Sequence, residues 1–470
     1  MREPQTNLAW NVLLDLTGRR GALHERLTAA LREAIRAGHL PPGAALPPSR
    51  VLAADLSVSR WTVTRAYTQL ATEGYLRART GSATRVRWTP GSGAPQAPAV
   101  RRAEPAPARF DMTPGRPDLR AFPVTRWVEA IKVAAATAGY EQLGYPEPGG
   151  ARRLRDVLAD YLNRVRGTVA GAGDITVCLR SADAMGRVCR ALAAAGATHL
   201  AVEDPGWPPM GEAAALAGLV TVPLPVDRDG LRADLLPGHP RVTAVCVGAS
   251  HQFPAGAVLS PDRRAQLLEW AESRAGVIIE DDYDAEFRYD RPAVSALQGM
   301  SADRVVLLGS VSKTLAPAVG IGWVTTPPWL TAAVRAASPF PLAPPTLHQL
   351  ALATFIETGG YDRYLRAARK RYQARRRLLL DALAARLPGC PVEGAAAGLH
   401  LVLRLPPGTG AARVVTAAAA RGLLVADLDR FRVRPDAGQP GLVLGYGNLG
   451  DSAAAEAVSV LAEVLAEASG

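Results

Sequence analysis

Lysine is nearly absent from this 470-residue chain: of 54 basic side chains only Lys132, Lys313 and Lys370 are lysines, so chemistry that needs a primary amine has three candidates. Cysteine is sparse as well. Cys178, Cys189, Cys246 and Cys390 lack the paired C-x-x-C spacing of a zinc site and are too few for a disulfide scaffold, so they read as reduced core residues. No uninterrupted apolar run reaches the roughly 18 residues that span a bilayer, which argues against a membrane helix. The opening stretch MREPQTNLAWNVLLDL places Glu3 among its first charges and has no small-residue cleavage site after a cationic, apolar run. It does not read as a signal peptide, and the expected compartment is the cytosol.

The positive charge is unevenly spread. Residues 1–110 hold 16 arginines against 7 acidic residues, a surplus of +9 out of a total of +11. A basic excess gathered in one terminal module is the electrostatic footprint of a part that meets phosphate, whereas a composition bias alone would not segregate it. The length predicts several domains. A compact segment from about Gly18 to Val86 ends in TPGSGAPQAPAVRRAEPAPAR, whose alternating Pro and Ala cannot build a core and favour an extended spacer. The expected division is therefore 1–87, a linker over 88–109, and 110–470.

In the first segment Leu23, Leu27, Leu31 and Ile35 recur every four residues and predict a helix ending near Gly38. A short helix follows Pro48. Ser59 can cap a third, with Val63, Ala66, Tyr67 and Leu70 on one face and Arg60, Thr62, Thr64 and Arg65 pointing outward. An exposed Trp61 could stack near the sugar-phosphate backbone, but the favoured expectation is that it covers the apolar core. Residues 74–86 read as a β-hairpin with Arg79, Thr80 and Gly81 at its tip. A helix of this kind fills the major groove of double-stranded DNA, where Arg and Thr reach base edges and phosphates, while a hairpin wing touches an adjacent groove. The run LPPSR, LAADLSVSR, TVTRAY, EGYL and TGSAT is similar to the GntR-type winged helix-turn-helix. That resemblance implies DNA contacts from Arg50, Ser59, Arg60, Thr62, Thr64, Arg65, Thr80 and Gly81.

Beyond the linker, the β-branched runs at 175–179, 199–204, 242–249, 276–282 and 304–310 alternate with Ala/Leu-rich helical stretches. Continuous apolar strands predict an α/β domain with a mostly parallel, helix-covered sheet. From about Asp362 a long basic helix, the strand HLVLRL, a helix, the strand LVLGYG and a last helix predict a smaller α+β part. Lys313 lies in GSVSKTLAP just after a strand, among small hydroxyl residues. An amine held from water there can condense with an aldehyde, and the serines and backbone N–H groups can hold a phosphate. Lys132 follows an amphipathic segment at Trp127, and Lys370 lies in the run RKRYQARRR, where a solvated or DNA-facing role is the plain reading. In EDDYDAEFRYD, at a strand's C-terminal end, Asp281 can pair with a protonated ring nitrogen and Tyr283 can donate to a ring hydroxyl. The same carboxylates could instead hold a divalent metal, although no histidine pattern supports this.

The stretches GRPDLRAFP, LGYPEPGGARRLR, VEDPGW, ASHQFPAG, EDDYDAEFRYD and GSVSKTLAP resemble the fold-type-I aminotransferase domain of MocR/GabR-type transcription regulators over residues 110–470. The resemblance implies pyridoxal 5'-phosphate (PLP) as cofactor or effector, with Lys313 as its Schiff-base lysine, Asp281 at the pyridine nitrogen and Tyr283 at the ring hydroxyl. It also implies Ser310 and Ser312 beside the phosphate, Trp207 where the family stacks a tyrosine on the ring, and Tyr145 reaching the partner subunit of a homodimer.

Three positions depart from that pattern. The family's phosphate cradle T-S-G-A-Q is here Cys178-Leu179-Arg180-Ser181-Ala182, with Arg180 in place of a glycine. The arginine that the family carries seven residues after the lysine is Gly320. Arg180 can supply the missing charge from the other side. The carboxylate-clamping arginine near the last strand is absent from LVLGYGNL, which argues against transamination of an amino acid. The expected function is a DNA-binding regulator that senses PLP, with or without a small amine or amino acid. The alternatives are a degenerate domain kept for dimerisation and an active PLP enzyme with a DNA-binding module.

Overall fold

The computed structural model describes residues 14, 16, 21–77, 83–88, 108–290, 294–338, 343–435 and 438–469. The chain divides into two compact units, Met1–Glu104 and Pro105–Gly470, with the boundary falling in the Pro/Ala-rich stretch of the sequence.

In the first unit, helices Leu23–Arg36, Ser49–Asp55 and Arg60–Thr72 precede the antiparallel pair Leu76–Arg77 and Arg85–Val86. Leu27, Leu31 and Ile35 of the four-residue stripe pack with Leu52, Val63, Ala66 and Leu70 in one core. The stripe's first member, Leu23, is exposed. The hairpin tip, with Arg79, Thr80 and Gly81, lies outside the described residues.

The second unit is built on an eight-stranded sheet. Across its width run Ile175–Cys178, Gly322–Thr325, Val305–Ser310, Val277–Asp282, Val242–Val247, His199–Asp204, Val220–Asp227 and Gly230–Leu231. The five strands from Val305–Ser310 to Val220–Asp227 are mutually parallel, whereas Gly322–Thr325 runs opposite to both its neighbours. Both faces are covered, which explains the continuous apolar runs. Ile279, Val306 and Leu308 pack with Met185 and Val188 of helix Ser181–Ala194, while Ile278 and Val305 pack with Leu267 and Trp270 of helix Pro261–Ser273. Three of the eight were not anticipated: Val220–Asp227, which carries Pro223 and Pro225, and the short Gly230–Leu231 and Gly322–Thr325. A second sheet, in the order Val392–Glu393, His400–Arg404, Gly441–Gly445 and Ala426–Asp427, joins helices Gly360–Arg386, Ala411–Ala420 and Ala454–Ser469 in the smaller α+β part.

The register of the two central strands sets the site. Leu308 pairs with Asp281 and Gly309 with Asp282, so the carboxylates and the segment Ser310–Lys313 leave the sheet side by side. Successive side chains on a strand point to opposite faces, which separates Asp281 from Asp282. Asp282 is held by Arg166 through Nε to Oδ2 at 2.7 Å and Nη2 to Oδ1 at 2.9 Å, and both side chains are buried. Arg166 also donates to Ser250 Oγ and to the Val294 carbonyl. Removing one member of a buried pair leaves the other charge uncompensated, at a cost of about 3–5 kcal/mol. Arg166→Ala should accordingly lower unfolding stability by about that amount in chemical denaturation, and a loss below about 1 kcal/mol would contradict this account.

Candidate cofactor site and nucleic-acid interface

Lys313 sits in the four-residue helix Val311–Thr314 that follows directly from strand Val305–Ser310. The Ser310 side chain starts this turn: its Oγ accepts the Ser312 N–H at 3.0 Å and donates to Ser312 Oγ at 2.8 Å. The Lys313 amine donates to the Gly115 carbonyl at 2.7 Å. Burial pushes its pKa down, against the pull of Asp284 and Asp281, and the nearby Arg180 guanidinium adds to the fall. Lys132, by contrast, is exposed and faces Glu129, and Lys370 is exposed on the helix Gly360–Arg386.

Asp281 is the counterpart of that amine. Its Oδ1 is buried, and burial together with Asp282 and Asp284 raises the pKa of the carboxyl to about 7, with Lys313 opposing. Its Oδ1 has no hydrogen-bond partner. A buried polar atom left without a partner is uncommon and points to an absent ligand group or ion. Trp207, Met210, Phe253 and Tyr283 line a small cleft beside Asp281. Glu203, on the wall of this cleft, accepts from the Gly248 N–H and Gln252 Nε2, both at 3.2 Å, and burial lifts its pKa to about 8.

Sequence reasoning did not single out the group behind Tyr283. His251 Nδ1 lies 3.0 Å from Asp284 Oδ2 and 3.0 Å from Tyr283 Oη, with His251 and Asp284 both buried. His400 stacks at 5.0 Å from the His251 ring, its Nε2 beside the Pro254 carbonyl at 3.1 Å, and burial holds its pKa well below the ordinary value. His251 and Asp284 stand in ASHQFPAG and EDDYDAEF, so the signal was present without a role attached to it. These three residues are the group that could approach a single metal ion among the described residues. His251 Nδ1 is engaged with Asp284 and Tyr283 and His400 Nε2 with the Pro254 carbonyl, whereas His251 Nε2 is buried without a hydrogen-bond partner.

The helix Ser181–Ala194 begins with Arg180 at its N-cap and has no side-chain cap, so its first N–H groups are not taken up by a capping side chain. Ser181 is buried at that start. Arg180 Nη2 lies 3.5 Å from the Pro317 carbonyl oxygen, which places its guanidinium over the segment that ends at Gly320. Gly320 has φ +67° and open space around the position of a Cβ. Gly322 is needed for close approach, because an added Cβ would sit 2.9 Å from the Arg180 Cα. Tyr145, at the opposite extreme from Lys313, is fully exposed in the single chain.

On the third helix of the first unit, Ser59 accepts the Thr62 N–H at 3.1 Å. Arg50, Arg60, Thr64 and Arg65 are exposed as anticipated. Two expectations are corrected. Thr62 is buried and bonds to Ser59 Oγ at 2.8 Å, so it belongs to the cap rather than the outer face. Trp61 is 61% exposed and stands outside the core it was expected to cover. The apolar cluster is already closed by Val63, Ala66, Tyr67 and Leu70 on the other face.

Residues 23–86 match the family of bacterial regulatory proteins of the gntR type, and residues 112–437 match aminotransferase class I and II. The "Probable rhizopine catabolism regulatory protein MocR" of Rhizobium meliloti is 32% identical over 464 residues, covering 93% of each chain. The HTH-type pyridoxine biosynthesis transcriptional regulator PdxR of Corynebacterium glutamicum is 32% identical over 430 residues, covering 90% of this chain and 91% of its own. Among solved structures, the multiple substrate aminotransferase of Thermococcus profundus superposes with a TM-score of 0.71 at 25% identity, over 78% of this chain and 93% of that one. A match that runs through both units at this identity leaves one assignment: the chain belongs to the MocR type of transcriptional regulators, in which a GntR-type winged helix is joined to an aminotransferase-like domain.

Proposed function

We propose that this regulator takes PLP through Lys313 and uses it as a signal, with the winged helix binding double-stranded DNA. The observation that carries this is the partnerless, buried Oδ1 of Asp281 beside a half-buried amine whose pKa is depressed. A protonated pyridine nitrogen would satisfy the carboxylate. An uncharged Lys313 amine can attack the aldehyde, which is the electrophile PLP supplies. Tyr283 would meet the ring hydroxyl, Trp207 the ring face, and Ser310, Ser312 and the start of helix Ser181–Ala194 (Ser181 and Ala182) the phosphate. One relative is named for pyridoxine biosynthesis, which agrees with a B6 vitamer as the signal.

The position of Arg180 over the Pro317–Gly320 turn supports its standing in for the arginine missing at 320. A second amine or amino acid would find no arginine clamp in the strand Gly441–Gly445, which favours sensing over turnover. The exposed apolar residues Leu119, Val124, Val128, Tyr140, Leu143 and Tyr145 favour a homodimer through that stretch. DNA as the working partner agrees with a cytosolic place. A signal of this kind acts only by binding two arrangements of the protein unequally.

Three measurements bear on this. The purified protein mixed with PLP should develop a visible absorption band and be trapped by borohydride, and Lys313→Ala should do neither. A colourless, untrappable wild type would leave the domain to dimerisation alone. Arg180→Ala should weaken PLP binding about tenfold or more, the size of a lost charge-assisted hydrogen bond, and unchanged affinity would remove Arg180 from the phosphate site. Protonation of Asp281 removes the partner of the ring nitrogen. The affinity gap between wild type and Asp281→Asn should therefore be wide at alkaline pH and close as pH falls through about 7. An equal gap on both sides would count against that pairing.

A further inference from the structure

Among the described residues of the first unit, Trp61 is the most exposed large apolar side chain. At 3.6 residues per turn, the buried face of helix Arg60–Thr72 is centred on Val63, Ala66, Tyr67 and Leu70, and Trp61 falls roughly opposite it. It occupies the first turn. A recognition helix contacts base edges with residues near its N-terminus, so the ring stands where the major groove is read. Trp61 is 61% exposed, so its apolar face is open to a partner in that groove.

The ring is also held in place. The His24 ring from the first helix packs edge-on at a centroid distance of 5.4 Å and 70° between planes. One turn further along, the Arg65 guanidinium carbon lies 5.7 Å above the indole. An exposed arginine would otherwise sample many rotamers, and stacking on a fixed ring reduces the entropy lost when it pairs with a base. In the major groove the apolar feature available to such a ring is the thymine methyl group, and the planar fork of arginine matches guanine.

We propose that Trp61 is a specificity-determining residue: it covers a thymine methyl in each half-site and holds Arg65 for a neighbouring guanine. Burial of one methyl group corresponds to about a fourfold change in affinity. The inference rests on DNA binding by the winged helix and is independent of PLP.

The test begins with the full-length protein and selection of its preferred duplex from a random library. Each thymine in that duplex is then replaced by deoxyuridine, which removes only the methyl group. Wild type should lose about fourfold in affinity at one thymine per half-site. Trp61→Ala should bind the thymine and deoxyuridine duplexes equally, and Trp61→Phe should retain part of the discrimination. The ring lies outside the core, so folding should survive both changes, and circular dichroism checks this. The proposal is overturned if every replacement leaves wild type unaffected, if Trp61→Ala keeps the wild-type discrimination, or if Trp61→Ala weakens all duplexes alike, as a backbone contact would. Failure to enrich any sequence would refute DNA reading as a whole. Enrichment without methyl sensitivity would refute this inference alone.

Discussion

Two adjacent carboxylates on one strand cannot share a dry interior unless something separates their fates, and here the pleat of Val277–Asp282 does so. Asp282 turns to one face and meets the fork of Arg166, itself anchored on Ser250 and Val294. Asp281 turns to the other, toward Lys313, and keeps an unmet oxygen. The parallel register of the neighbouring strand then delivers the lysine at the same edge. One neutralised charge and one left open, a single residue apart, give a site that is stable in the absence of ligand yet prepared for a cation.

The same division between holding and reading recurs in the DNA-binding unit. Ser59 and Thr62 spend their hydroxyls on each other and on the helix start, which fixes where the recognition helix begins. Arg60, Thr64 and Arg65 remain outside. Tyr67 donates to the Pro47 carbonyl at 3.0 Å and ties that helix to the loop before Ser49–Asp55. Side chains that look interchangeable in a polar stretch thus have separate tasks.

Much of this was legible from residue patterns. The central strands were visible because burial on both faces demands unbroken β-branched runs, and Lys313 stood out because so few lysines compete with it. Val220–Asp227 was hidden by Pro223 and Pro225, which suit a strand only where ladder donors are missing. Gly322–Thr325 is too short to show a period. Thr62 was misplaced because helical periodicity sorts faces but does not register a capping bond. Trp61 was misplaced because bulk and hydrophobicity suggest burial when the core is not known to be full. The pairing of His251 with Asp284 joins residues 33 positions apart, and no local pattern reveals such contacts.

Gly320 illustrates how a backbone conformation limits which side chain a turn can carry. Its left-handed conformation, φ +67°, suits glycine and costs most other residues about 1–2 kcal/mol. An arginine here would have open space for its stem but a backbone conformation that disfavours any Cβ. A phosphate-pairing arginine at this position would require the turn to change along with the residue.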